Sequence, residues 1–364
     1  MNIKRSFILT FLISSVLSAK TADKPIFKLE SPFKKIVHFV HNPDFFFQAV
    51  DATEDFLNKI HLSKFMSLHA GVFEKHGITI DDVKRTLHFV KEILQTAPEK
   101  MSDMQFLEEH FIFHRWYVKS EHGHQLHGHY GPPDYIRTTS YLITQISGSL
   151  VRKSKYVVPL YSVPTDEKKL APLDIKNKKT ELLRFKYTRQ EIIDGVFDKN
   201  PEVTLLGWVT LEDYKEIVKQ GSAIIVFKRG LKKLCSLAKN NGKSGVDSYY
   251  FFSIKDKSVD PKKTKFPIKP DPVSGITLAG NVEGLGFGKL FLMVSHDYRH
   301  NRLEGRYGLL TDTGEAFKNN YHQVDQFVGY FAKKKDFEQH ILGIPHTARM
   351  YLMIKRPPLT KALT

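Results

Sequence analysis

The chain has 364 residues, enough for a sizeable core and for two domains, and its 41% hydrophobic and 26% charged residues exclude a disordered chain. Its formal net charge of +16 points to an acidic polymer or an anionic envelope surface as partner. The lysines lie in loop runs and do not alternate with aromatic residues on one helix face, so nucleic acid is not the expected partner.

Residues 1–19 have the features of a secretory signal peptide. A basic start precedes an apolar run at residues 7–17, too short to span a bilayer comfortably, and the small residues Ser18 and Ala19 then suit cleavage. An uncleaved anchor is the alternative. The only cysteine is Cys235, so neither lipid attachment at a processed N-terminus nor an internal disulfide is expected. We therefore expect a monomer in the periplasm or cell envelope, with no transmembrane helix in the mature chain.

Residues 43–118 are predicted to be helical. A helix start signal lies at residues 79–82, and residues 106–117 form a further amphipathic segment. The apolar face of the helix that follows the start signal consists of Val83, Leu87, Val90 and Leu94.

Four histidines then alternate along the chain, namely His122, His124, His127 and His129. Alternate residues of a strand share a face, and neutral imidazole binds zinc well, so a metal site is one interpretation. No Asp, Glu or Cys stands close enough to complete such a site. The preferred interpretation is a strand whose histidines line a groove or face solvent, and no metal or cofactor is predicted.

The rest of the chain is predicted to be mainly β. Thr188 and Glu191 have the spacing of a capping box, which predicts a short helix there, and lysine-rich loops are predicted at residues 165–182 and 255–272. The glycines of residues 284–288 lack the spacing of a phosphate loop and predict a turn or bulge. Strands are predicted at residues 138–165, 205–210, 224–227, 249–254 and 348–354.

The sequence of residues 289–316 predicts a strand, a polar loop and a second strand. Asp297 ends the first apolar run, and Asp312 lies in the Thr-Asp-Thr-Gly turn after the second. A carboxylate just past a strand end is well placed for chemistry. The alternative is that Asp297 only accepts hydrogen bonds from loop amides.

Several short motifs follow one another in the order found in the membrane-bound lytic murein transglycosylase A family, which the chain resembles from about residue 45 to its C-terminus. They read Asp-Val-Lys-Arg-Thr-Leu at 82–87, Gly-His-Tyr-Gly-Pro at 128–132, Val-Pro-Leu-Tyr-Ser-Val-Pro at 158–164, Thr-Arg-Gln-Glu-Ile at 188–192 with Gly195, Gln-Gly-Ser-Ala at 220–223, and Leu-Met-Val-Ser-His-Asp at 292–297 with Thr-Gly-Glu-Ala at 313–316.

The resemblance implies a mainly β fold with N-terminal helices, of the α+β class, in two domains. Residues 24–128 and 246–364 would form a discontinuous domain that contains the helices and a double-psi β-barrel. Residues 129–245 would form a smaller inserted β-barrel domain, with a groove for a glycan strand between the two domains.

The resemblance also implies peptidoglycan glycan strands as the partner and cleavage of the bond between N-acetylmuramic acid and N-acetylglucosamine. One carboxyl would protonate the leaving oxygen and then, as a base, activate the muramyl 6-hydroxyl, so that a 1,6-anhydro sugar forms without a metal or cofactor. Such a carboxyl needs a raised pKa. Asp297 and Asp312 are the predicted catalytic residues, and the sugar would be bound by His129, Tyr130, Gln220, Gly221 and Ser222.

The sequence departs from the family pattern at the family's three aspartates. Only Asp297 has a clear counterpart, whereas Asn281 stands at the expected first aspartate and Gly308 at the third, which is the family's proposed acid/base. Gly131 replaces a glutamate of the groove, and residues 319–345 are interpreted as an insertion. The alternative is therefore a peptidoglycan-binding relative that kept the groove and lost the acid.

Overall fold

Strands carry most of the regular structure in the computed structural model, which describes residues 25–33, 37–59, 68–117, 134–167, 170, 172–255, 270–297, 300–331 and 334–357. The strands are β1 (Ile26–Leu29), β2 (Val37–Phe39), β3 (Phe111–Tyr117), β4 (Ile136–Ser147), β5 (Val158–Tyr161), β6 (Leu205–Val209), β7 (Ser222–Val226), β8 (Lys232–Asn240), β9 (Tyr250–Lys255), β10 (Thr277–Ala279), β11 (Lys289–Asp297), β12 (Arg302–Asp312), β13 (Gln323–Phe331) and β14 (Thr347–Lys355).

The α-helices of the described residues are α1 (Pro43–Lys59), α2 (Ile80–Thr96), α3 (Met104–His110), α4 (Pro172–Asn177), α5 (Leu183–Lys186), α6 (Arg189–Ile193), α7 (Leu211–Gln220), α8 (Val282–Leu285) and α9 (Lys334–Ile341). Short 3₁₀ turns lie at Gly71–His76, Pro98–Ser102, Thr165–Glu167, Lys228–Gly230, Gly245–Asp247 and Glu315–Phe317. No helix among the described residues is long and apolar enough to cross a membrane.

Twelve strands form one sheet, in the order β1-β3-β14-β11-β12-β10-β13-β4-β7-β8-β9, with β2 beside β12 and a further pairing of β14 with β4. Strands β5 and β6 form a second, two-stranded sheet. The mainly β fold with helices is thus confirmed, whereas the double-psi barrel stays a prediction.

The predicted hairpin at residues 289–316 is confirmed as β11 and β12, which are antiparallel over their whole length. The first seven residues of β11 are all buried, because this strand lies between β14 and β12 and packs on both faces. This explains why its sequence is a continuous apolar run instead of an alternating one.

Helix α2 begins where the sequence predicts. The Thr79 side chain accepts a hydrogen bond from the Asp82 backbone, and the Asp82 carboxylate accepts one from the Thr79 N–H in return. This capping box satisfies backbone donors that the first helical turn leaves without partners. The Thr86 hydroxyl then accepts a hydrogen bond of 2.9 Å from the Lys355 N–H and so ties α2 to the end of β14.

The buried apolar residues form two separate clusters. The first takes its members from residues 27–136 and 273–354, and the second takes its members from residues 146–252. No buried residue belongs to both clusters, although β4 runs from one to the other. This distribution supports the proposed division into an outer domain of residues 24–128 and 246–364 and an insert of residues 129–245.

Two predicted elements are wrong in detail. The amphipathic segment at residues 106–117 is not one helix, because α3 ends at His110 and the chain continues directly into β3. The supposed insertion at residues 319–345 contains β13, which lies inside the large sheet between β10 and β4. Its mixed apolar and polar sequence does not resemble the continuous apolar run of β11.

Gly308 stands where the resemblance places the family's third aspartate. It is a buried residue of β12, paired with Phe291, and a Cβ atom built on it would lie 2.4 Å from Leu278 Cδ1. The absence of a side chain therefore allows close packing inside the first core. An aspartate at this position would place its side chain against Leu278, a member of the first core.

Candidate active site

Strand β10 brings two carboxylates together. Ala279 is paired with Asp312 on one side and with Asp325 on the other. Strands on either side of a common neighbour are about 10 Å apart, so their side chains are within reach of one sugar-sized ligand. Asp312 was predicted as a catalytic residue, and Asp325 was not.

Strand β4 adds the neighbours of Asp325. Its Thr139 pairs with Asp325, and its Tyr141 pairs with Phe327, so these side chains share one face of the sheet. The Thr139 hydroxyl donates a hydrogen bond to Asp325, and Gln323 Nε2 donates another of 2.8 Å to the same oxygen. Burial raises the pKa of Asp325, although these two hydrogen bonds and the charge of Arg137 oppose the rise.

Hydrogen bonds from two described residues orient Asp312. The Tyr141 hydroxyl donates one of 2.7 Å to Oδ2, and the Thr313 backbone N–H donates one of 2.9 Å to Oδ1. Burial raises the pKa of Tyr141 well above its usual value, and the charges of Asp312 and Asp325 raise it further. Both carboxylates therefore act on one phenol, which places them in a single polar cluster.

This cluster, made of Thr139, Tyr141, Asp312, Gln323 and Asp325, has the chemistry of a proton-transfer site. Asp325 is a carboxyl whose proton is retained to higher pH than usual, as a general acid requires. Asp312 is a second carboxyl on the other side of β10, held by a hydroxyl and a backbone N–H. Two carboxyls in unlike surroundings are the usual arrangement for acid–base work on a glycosidic bond.

The predicted sugar-binding residues Gln220, Gly221 and Ser222 lie at the start of a strand next to β4. Gln220 ends α7, Gly221 follows with a φ of 83°, and Ser222 begins β7. Strand β7 is parallel to β4 and pairs Ala223 with Thr144. Ser222 is therefore level with Ile143, four residues beyond Thr139, so Ser222 and the level of Thr139 and Asp325 are about 13 Å apart along the strand direction. The Gln220 amide donates a hydrogen bond of 2.9 Å to Glu216.

Asp297 lies at the opposite end of the hairpin. It pairs with Arg302 at the start of β12, whereas Asp312 ends the same strand. Arg302 and Asp312 are ten positions apart on β12, which is about 33 Å. The Asp297 side chain is 13% exposed. Its carboxylate is hydrogen-bonded to His300 Nδ1 and lies 3.8 Å from Arg302 Nε. The two predicted catalytic aspartates therefore cannot act on the same bond.

Asn281, at the position expected for the first family aspartate, is buried. Its Oδ1 accepts a hydrogen bond of 3.0 Å from the Gly284 N–H and so caps α8. The Asn281 amide thus has a structural role. It lies beside the site, because the neighbouring Gly280 donates its N–H to the Asp312 carbonyl.

Several predictions fall on residues outside the described ranges, namely the signal peptide, the histidines at 122–129, Tyr130 and Gly131. The described residues contain no group of three or more His, Cys, Asp or Glu side chains that could hold a metal ion.

Sequence reasoning missed Asp325, Tyr141 and Thr139. The sequence contained a signal for a strand that carries this aspartate. Asp325 stands between Val324 and Gln326 in a strand-like run, which Gly329 then interrupts. The resemblance placed the family's third aspartate at Gly308. The pairing of β13 with β10 and β4 is what brings Asp325 beside the other members of the cluster.

Comparisons with known proteins agree with this architecture. Residues 137–247 match the family model described as the MltA specific insert domain. The crystal structure of membrane-bound lytic murein transglycosylase from Agrobacterium tumefaciens shares the fold with a TM-score of 0.58 at 18% identity, over 86% of this chain and 93% of that one. The crystal structure of E. coli MltA with bound chitohexaose gives a TM-score of 0.56 at 15% identity, over 93% of this chain and 98% of that one.

No curated protein matches the sequence. At 18% and 15% identity, the two crystal structures establish the fold that this chain shares with them. Residues 137–247 match the insert domain of the MltA family, and the chain as a whole has the fold of these two lytic transglycosylases.

Proposed function

We propose that the protein is a peptidoglycan lytic transglycosylase that cleaves the bond between N-acetylmuramic acid and N-acetylglucosamine and forms a 1,6-anhydro sugar. The observation that carries the proposal is the partly buried carboxyl of Asp325, whose pKa burial raises, beside the second carboxyl of Asp312. The bound chitohexaose of the E. coli relative supports a glycan as the ligand.

In this proposal Asp325 is the acid and the base. Its carboxyl gives its proton to the glycosidic oxygen, and the bond between that oxygen and the muramyl C1 breaks. The resulting carboxylate takes the proton of the muramyl 6-hydroxyl, whose oxygen then bonds to C1. Asp325 ends protonated, as it began, so one group completes the cycle. A raised pKa suits both steps, because the same carboxyl must first hold a proton and later accept one.

Asp312 has a different role. Charge develops at C1 as the bond breaks, and a carboxylate close to that atom stabilises it. The hydrogen bonds from Tyr141 and from the Thr313 N–H hold the Asp312 carboxylate in place before the substrate arrives. Preorganised groups of this kind cost no reorganisation during the reaction.

Sugar binding is assigned to Gln220, Gly221 and Ser222 at the start of β7, with His129 and Tyr130 as further predicted contacts. Location in the periplasm or cell envelope and a monomeric state are part of the same proposal. These features agree with a glycan substrate that lies outside the cytoplasm.

The test is digestion of purified sacculi, with soluble anhydromuropeptides as the readout. We expect Asp325→Asn to lower turnover by a factor of about 10² to 10⁴, as loss of a general acid–base group usually does. Asp312→Asn should lower it less, by about 10² or more. The matched control is Asp297→Asn, the same change at the other end of the β11–β12 hairpin, which should leave turnover near that of the parent.

The outcomes separate the two readings of the family resemblance. If the parent releases no anhydromuropeptides but sediments with sacculi, the protein is a binding relative without catalysis. If Asp297→Asn abolishes turnover while Asp325→Asn does not, the assignment of the acid to β13 is wrong.

A further inference from the structure

Two chain segments of the second core leave the sheet at the same end. Strands β4 and β7 are parallel and pair Ser147 with Val226, so they finish side by side. The Gly148 N–H donates a hydrogen bond of 2.9 Å to the Val226 carbonyl, which holds the two exits together. We call the surface formed by residues 150–155 and 228–233 the basic end.

The basic end concentrates positive charge. Neither segment contains Asp or Glu. None of its cations forms an ion pair with a residue that the structure describes. Its seven cations are Arg152, Lys153, Lys155, Lys228, Arg229, Lys232 and Lys233. Uncompensated charge of this density attracts a polyanionic surface.

Apolar side chains protrude among these cations. Leu150 is 58% exposed, Val151 is 59% exposed, and Leu231 is 47% exposed, although each belongs to a residue type that is usually buried. Leu150 and Val151 are in one segment and Leu231 is in the other. In each segment the apolar side chains therefore have cations as sequence neighbours. Exposed apolar groups of this kind mark an interaction site.

We propose that the basic end binds the surface of an anionic phospholipid bilayer. Lysine and arginine would contact the lipid phosphates while Leu150, Val151 and Leu231 enter the boundary between headgroups and acyl chains. A polyanion such as nucleic acid would satisfy the cations but would leave the aliphatic side chains in water. A second copy of the chain would bring like charges face to face.

This surface is separate from the candidate active site. Thr139, beside Asp325, and Ser147, at the end of β4, are eight residues apart on the same strand, which is about 26 Å. The proposal therefore concerns attachment and not the reaction, and it does not depend on whether the protein cleaves glycan.

Sedimentation of the full chain with lipid vesicles tests the proposal. The probes are vesicles of phosphatidylglycerol and phosphatidylethanolamine, vesicles of phosphatidylcholine alone, and a soluble polyphosphate. One double variant, Lys153→Gln with Lys228→Gln, removes a cation from each segment. A second, Leu150→Ser with Val151→Ser, removes the apolar groups and keeps every charge. The control, Lys178→Gln with Lys199→Gln, removes two exposed lysines elsewhere.

We expect the parent to bind the anionic vesicles and not the phosphatidylcholine vesicles. Removing a cation near a bilayer weakens binding about fivefold, so the first double variant should bind about 25-fold more weakly. The apolar variant should also lose vesicle binding but should keep its binding to polyphosphate. The control should bind like the parent.

Three results would overturn the proposal. One is a parent that does not sediment with anionic vesicles, and another is a control that loses as much binding as the basic variant. The third is an apolar variant that binds vesicles like the parent, which would indicate a soluble phosphate polymer as the partner in place of a bilayer. All variants change exposed side chains, and their melting temperatures should equal that of the parent.

Discussion

At the scale of single residues, the surroundings of Asp325 decide what its carboxyl can do. Burial raises its pKa, whereas the hydrogen bonds from Gln323 and Thr139 lower it, and the first effect is the larger. The net result is a carboxyl that holds its proton to higher pH. The neighbours of this carboxyl thus offer a direct means of adjusting its proton affinity.

Thr139→Val removes one hydrogen bond to Asp325 and so should raise the pKa of that carboxyl further. If protonated Asp325 is the acid, activity falls as pH rises through its pKa, and the alkaline limb of the pH–turnover profile should move up by about one unit. The matched control is Thr138→Val on the opposite face of β4, where the hydroxyl donates to the Pro345 carbonyl. An unchanged alkaline limb in Thr139→Val would contradict the assignment.

Lys289 is a second titratable residue with an unusual environment. It is fully buried, and Nζ donates a hydrogen bond of 3.0 Å to the His69 carbonyl. Burial lowers the pKa of Lys289 to about 7. The unfolded chain therefore holds the proton up to higher pH than the folded protein does, and folding becomes more favourable as pH rises above 7.

Replacement of this lysine by an uncharged side chain should remove that pH dependence. In urea unfolding at pH 7, 8 and 9, the free energy of unfolding of the parent should rise relative to that of Lys289→Met by about 1 kcal/mol per pH unit. Parallel profiles for parent and variant would mean that the buried amine keeps its ordinary proton affinity in the folded state.

At the scale of elements, α2 shows how a local signal fixes a boundary. Thr79→Ala should lower the free energy of unfolding by about 1 kcal/mol, because it removes an acceptor from the first helical turn and breaks the capping box. The control is Thr96→Ala at the other end of α2, where the exposed hydroxyl only donates to the Glu92 carbonyl. Equal losses in urea unfolding would show that the cap adds nothing specific.

At the scale of the whole molecule, the two hydrophobic clusters predict two units of local stability. Ile225→Ala in the second cluster removes a fully buried side chain and should cost about 3 kcal/mol. Hydrogen exchange should then accelerate mainly in β7, β8 and β9. Leu292→Ala in the first cluster should have the reciprocal effect, mainly in β11, β12 and β14. Uniform acceleration across all strands would show that the chain opens as one cooperative unit.

Much of the fold could be predicted from local patterns. The apolar face of α2, the capping boxes at Thr79 and Thr188, and the hairpin of β11 and β12 all depend on neighbours within a few residues, and each was found at its predicted place. The break between α3 and β3 was missed, because residues 106–117 carry apolar groups at spacings that suit more than one structure.

The sequence by itself determined the residue types available for chemistry, the positive charge and the local starts and ends of helices and strands. Only the tertiary structure decided which carboxylates meet. Asp297 and Asp312 are 15 residues apart in the chain and yet lie at opposite ends of the β11–β12 hairpin, whereas Asp312 and Asp325 both pair with Ala279 of β10. Pairing between strands that are distant in sequence depends on how the whole sheet packs, so no local pattern could have assigned the site to β12 and β13.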